Sequence, residues 1–270
     1  MRLLGLVLAV SAVAAEPSGR VELSPGLNAW KAELTATGRM VFLARVYLVD
    51  GQWTFPPDTE QQRAFAHIAE DPSMAKQLAG AHAMTVNLEG YGRRASFIFL
   101  NMARHSEWQG FEDAMIAHEF GHVYLHVRGY RSPGVGPGMP VCEAAHVGDM
   151  VQHILIRQEM KRRGIDYVPW MAGTLQPVID RLRKPGPSPN SHCDQLARLS
   201  MWLDASLGLT AGDWPQLPEF LSLMQRSFPE LAPVEADLRD RLAALDVSGQ
   251  AGYEAGLKLA AAAAASTSSR

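Results

Sequence analysis

Apolar and polar positions along the chain follow two rhythms. From Val21 to Asn101 the pattern is mixed, with short runs of strand character. Arg45–Val49 and Gln52–Phe55 flank Asp50-Gly51, a pair that supplies the positive φ angles of a tight turn, so a β-hairpin is predicted. Met84–Leu88 and Ala95–Asn101 read as strands around Glu89–Arg94 and complete a small sheet. Between these pairs Asp58–Gly80 is helical in character, with Phe65 and Ile68 at helical spacing and Pro72 as a break.

From Ser106 onward helices dominate. Ser106 and Gln109 match a capping box for a helix running to about Arg128, with Gly129 as its terminator. The Gly/Pro-rich stretch Arg131–Pro140 is a loop that places Pro140 in the first turn of a helix reaching about Arg163, before Gly164. A second loop, Lys184–Asn190, precedes helices near Cys193–Leu207, Pro218–Arg226 and Val234–Leu245. Leu259–Arg270 is an Ala run ending in Ser and Thr; Ala favours helix, but no packing face is evident and a frayed tail is expected. The fold class is α+β, mostly helical. An α+β part with a small sheet covers 16–105, two helices cover 106–164, a helical part covers 165–256 and the tail covers 257–270.

The first 15 residues stand apart. Arg2 is their only charge, Leu3–Val13 is almost continuously apolar, and small residues precede Glu16. This is the layout of a cleavable secretory signal, and the run is shorter than the roughly 20 residues that span a bilayer. A secreted or periplasmic chain with no stable membrane span is the expectation. The net charge of −3, with 25 basic against 28 acidic residues, provides no excess to neutralise phosphates, which excludes nucleic acid as the main partner. Two cysteines exclude a disulfide scaffold or a four-thiolate zinc site.

His118-Glu119-Phe120-Gly121-His122 has the form H-E-x-x-H. On a helix, positions i and i+4 share a face, so both imidazoles can meet one Zn²⁺ while Glu119 addresses a water on the metal. From Ala114 to Val127 the only carboxylate is Glu119, in an otherwise apolar frame. An unpaired carboxylate in a buried helix is costly, and metal or catalytic use accounts for it.

In these residues the chain resembles the zincin metallopeptidases over about Phe111–His153. The metzincin branch is excluded, because Leu125 and Arg128 stand where that branch has Gly and a third His. The gluzincin branch takes a Glu from a following helix, and Glu143 falls at the start of one, so it is the first choice of third ligand. At about 100° per residue, Glu143, His146, Asp149 and His153 share an arc of roughly 120°. Asp149 and His146 are therefore alternatives, and an Asp there can instead hold the free ring nitrogen of a ligand His. Val147 stands where the thermolysin-like pattern has Asp.

The resemblance implies one Zn²⁺, a peptide or protein substrate, and an edge strand upstream of the zinc helix that holds the peptide; Ala95–Asn101 occupies that place in order. It implies hydrolysis through a zinc-bound water with Glu119 as general base. The alternative is a non-enzymatic exported zinc-binding protein whose site is closed by a fourth protein ligand. His126 is too far from His118 to share its metal, and His192 is a candidate to polarise the substrate carbonyl; Tyr124 and Tyr130 receive no role. Cys142 and Cys193 are expected to pair in an oxidising compartment, closing a loop worth about 4 kcal/mol of chain entropy.

Overall fold

The computed structural model describes residues 21–49, 51–54, 72–90, 93–134, 139–184 and 191–268. The signal-like segment 1–15, residues 58–71 of the expected helix, and most of the Lys184–Asn190 loop lie outside them. The chain is α+β and mostly helical, with one sheet on its N-terminal side. Strands β1 (Met40–Val49), β2 (Gln52–Thr54), β3 (Ala83–Gly90) and β4 (Arg93–Asn101) pair in the order β2-β1-β4-β3. β1 and β2 form the expected hairpin, with Gly51 at φ +78°. β1 and β4 are parallel, Phe42 opposite Phe97, and β3 and β4 antiparallel, Thr85 opposite Ile98.

Ala95–Asn101 is thus an interior strand, and among the described residues β3 is the edge beside it, with β2 at the opposite edge. The side chains account for this correction. β4 is apolar at successive positions and buries Phe97 and Phe99 on one face and Ile98 and Leu100 on the other. β3 alternates, with Thr85, Asn87 and Glu89 between Met84, Val86 and Leu88, as suits a strand with less cover.

One face of the sheet packs on α1 (Pro25–Ala36), a helix the mixed pattern did not announce, whose Leu27, Trp30 and Leu34 form one buried stripe. Trp30 meets Phe120 edge-on at 5.8 Å. The other face is covered by Leu78 of α2 (Pro72–Gly80), whose first residue is the expected break, Pro72. After β4, a 3₁₀ turn (Met102–Arg104) and α3 (His105–Trp108) lead to Gly110 at φ +88°. That left-handed residue interrupts the chain, so α4 (Glu112–Val127) starts later than a Ser106 cap would place it. α4 ends as expected at Gly129, with Tyr130 N donating to Leu125 O at 2.9 Å.

The remaining helices are α5 (Val141–Arg162), α6 (Val168–Leu182), α7 (His192–Gly208), α8 (Leu217–Ser227), α9 (Ala232–Ala243) and α10 (Gln250–Ser268). Pro140 is the cap residue just before α5. α6, α7 and α8 enclose a second core around Trp202, Phe220 and Met224. The Ala-rich C-terminus does not fray. Tyr253, Gly256, Ala260, Ala264 and Thr267 form a buried stripe along α10. A Cβ on Gly256 would lie 3.1 Å from Val151, so small residues bring α10 close to α5 and the large partners fill the interface.

Candidate metal centre

α4 presents His118 and His122 on one face, and α5 crosses it with His153. Each of the three offers a ring nitrogen within 4.8 Å of the other two, so the group could hold a metal ion. The crossing depends on Gly121: a Cβ there would meet Ile156 of α5 at 2.6 Å, so only glycine lets the helices approach this closely. His118 Nε2 and His122 Nε2 are 3.3 Å apart. Two nitrogens each about 2.0–2.1 Å from a tetrahedral ion would be separated by about 3.3–3.4 Å, so the spacing fits.

The outer ring nitrogens are held. Gln152 Nε2 donates to Tyr130 O at 3.0 Å and to Tyr253 Oη at 3.1 Å, which leaves Oε1 to accept from His122 Nδ1 at 3.0 Å. That tautomer leaves the His122 Nε2 lone pair free on the side of His118. Burial pushes the Tyr253 hydroxyl up to about 12, so it stays protonated and donates to Arg131 O. His153 Nδ1 lies 2.6 Å from Asp204 Oδ2, and Asp204 also pairs with Arg157. Burial opposes a charge on His153, but Asp204 and then Asp149 outweigh it and raise its pKa. Burial would likewise raise the Asp204 carboxyl, yet His153 and Arg157 hold it well below the usual carboxylate range. Burial lowers His118 strongly, aided by His153 and His122, which keeps it neutral as a ligand must be.

Glu119 is 7% exposed, and its Oε2 accepts from Thr85 Oγ1 of β3 at 2.6 Å. Burial raises its pKa, while His122 and the Thr85 hydroxyl pull it down. Beyond His118 and His153 opens a cavity of about 260 Å³, walled by Met160, Trp170, Met171, Leu175 and Met201 with Arg157 among them.

The structure does not bring Glu143 into this group. Its carboxylate lies 3.3 Å from His192 Nε2, and His192 Nδ1 is 3.2 Å from Thr267 Oγ1, beside the Cys142–Cys193 disulfide. From Glu143 to His153 is about 15 Å along a helix, so the far end of the same face meets α4. Asp149 lies nearby, Oδ1 3.8 Å from His153 Nε2, and His146 lines the cavity, its pKa lowered by burial. His192, engaged with Glu143 and Thr267, is not placed among the cavity walls. His126 bonds Glu89 at 2.9 Å, away from the centre. Sequence reasoning passed over Thr85, Gln152 and Asp204; the only signal for any of them was a polar residue on an otherwise buried face.

No protein-family model, no curated protein and no solved structure matches the chain. No helix among the described residues is long and apolar enough to cross a membrane.

Proposed function

We propose that the protein is an exported zinc peptidase of the zincin type, with His118, His122 and His153 as metal ligands and Glu119 as general base. The observation that carries this reading is the convergence of three imidazoles, two of them held at Nδ1 by Gln152 and Asp204, with a buried carboxylate from the residue after the first of them. Three imidazoles leave a fourth position for water on zinc. When bound, zinc would act as a Lewis acid on that water and on the substrate carbonyl. Glu119, fixed by Thr85, takes the water's proton and passes it to the leaving amine. The outer side of β3 offers backbone groups to an extended peptide, and the cavity beside His118 offers room for an apolar side chain. The apolar N-terminus and the disulfide support export.

Glu119→Gln is expected to keep one equivalent of zinc and lose about 10²–10⁴-fold in turnover of a peptide library. Unchanged turnover overturns the mechanism. A second reading, a non-catalytic metal holder, draws on Asp149, which a small rotation would bring to the ion as a fourth ligand. X-ray absorption of the zinc-loaded protein decides between them: three nitrogens and a water support the peptidase, three nitrogens and a carboxylate the holder.

A further inference from the structure

α5 and α7 run parallel in one register. Cys142 and Cys193 are 51 residues apart, and so are His153 and Asp204. Gly208 holds the same relation to Arg157: a Cβ there would lie 2.9 Å from Arg157 Nε, so the guanidinium passes directly over that glycine. One register therefore runs from the first turns of both helices to the carboxylate that orients the third histidine. A slip of one residue would turn a helix by about 100° and shift it about 1.5 Å, enough to part Asp204 from His153. Among the described residues, Cys142–Cys193 is the only covalent link between the two helices.

We propose that the Cys142–Cys193 bridge is a positioning element for the metal centre, a register lock that keeps Asp204 on His153 and thereby couples metal affinity to the redox state of the bridge. The inference rests on the reading of the three histidines as a metal site. With the bridge closed, His153 Nδ1 is held and its ring stays edge-on to those of His118 and His122. With it open, the helix starts part, the Asp204 contact loosens and His153 loses its fixed orientation. Opening is a two-electron step: two glutathione thiols give two electrons and two protons to the bridge, become glutathione disulfide, and leave thiols at Cys142 and Cys193. A chain still in a reducing compartment would then hold metal weakly, and oxidation would complete the site.

The test is zinc affinity by chelator competition on the full-length oxidised protein, on the double variant Cys142→Ser/Cys193→Ser, on Asp204→Asn, and on the triple variant. Loss of the bridge is expected to weaken zinc about tenfold or more, the range for groups that orient a ligand. In the Asp204→Asn background the same loss is expected to have much less effect, because both act through His153. A folded double variant that binds zinc as tightly as wild type overturns the proposal, and so do fully additive losses, which would assign the bridge to general stability. Wild-type protein that binds no zinc at all removes the metal reading itself. Should the double variant not fold, the wild type answers alone: by linkage, saturating zinc must shift the glutathione ratio for half-reduction by the same factor toward the reducing side. No shift refutes the coupling.

Discussion

The centre is assembled from two sides built on different principles. The sheet side supplies His118, Glu119 and His122 from little more than one turn of α4, braced by Thr85 of β3. The helical side supplies a single histidine, His153, whose ring is held by Asp204 of α7 and whose position depends on the α4–α5 crossing at Gly121. On the first side, spacing along one helix determines the geometry, as i and i+4 must share a face. On the second, nothing local does: several residues of α5 point the same way, and only packing decides which of them joins His118 and His122.

The largest effects should separate these two readings of α5. His118→Ala, His122→Ala and His153→Ala are each expected to abolish tight zinc binding, whereas Glu143→Gln should leave it unchanged. Isothermal titration of the four proteins checks this. Retained affinity in His153→Ala, or its loss in Glu143→Gln, would return the third place to Glu143. Next in size come the residues behind the ligands. Asp204→Asn on the helical side and Gln152→Leu against α4 are each expected to weaken zinc by about 10–100-fold. A loss confined to one of them would show that only that imidazole needs a fixed tautomer.

This asymmetry also sets how much was legible. The α+β class, the β-hairpin, β3 with β4, the end of α4 at Gly129 and the apolar frame of the H-E-x-x-H helix follow from local pattern. The identity of the edge strand does not follow from chain order, because strand order in a sheet is set by pairing. It was nonetheless written in the alternation of Thr85, Asn87 and Glu89 against the unbroken apolar run of β4. The packed C-terminal helix was hidden because an Ala face becomes a packing face only when a partner such as Val151 supplies the bulk. Asp204 lay 51 residues from His153 and no spacing rule spans that distance. Gly121 was the available clue to the crossing: a glycine inside a helix is about 1 kcal/mol worse than alanine, and here close approach explains its presence.

Gly121→Ala turns that clue into a measurement. A methyl group at this point must displace Ile156 or part the helices, with an expected loss of about 1–3 kcal/mol in stability. The zinc affinity of the folded variant should fall as well, since the same crossing brings His153 to α4. Urea unfolding and chelator competition report the two effects separately. Unfolding at the wild-type midpoint would mean that α4 and α5 have slack at the crossing, and the third ligand would then owe its place to Asp204 alone.

The smallest effects distinguish the two sides by sign. On the sheet side, Glu107 accepts from Arg104 and lies against His82, and these contacts hold its carboxyl down to about 2 from an ordinary 4.5. Its contribution to stability is therefore complete above the unfolded value and lost as pH falls through about 2. On the helical side, burial raises the carboxyl of Glu235, despite the Ser206 hydroxyl it accepts and the nearby Arg239. The native state then binds a proton more tightly than the unfolded chain, so this contribution is complete at low pH and is lost as pH rises through the raised folded value. In metal-free protein, Glu107→Gln should flatten the acid limb of the stability curve below about pH 4.5. Glu235→Gln should flatten the limb above that pH, with the variant gaining on wild type toward pH 7. Unfolding free energies measured across both limbs check the pair, and curves parallel to wild type in either variant would refute the corresponding assignment.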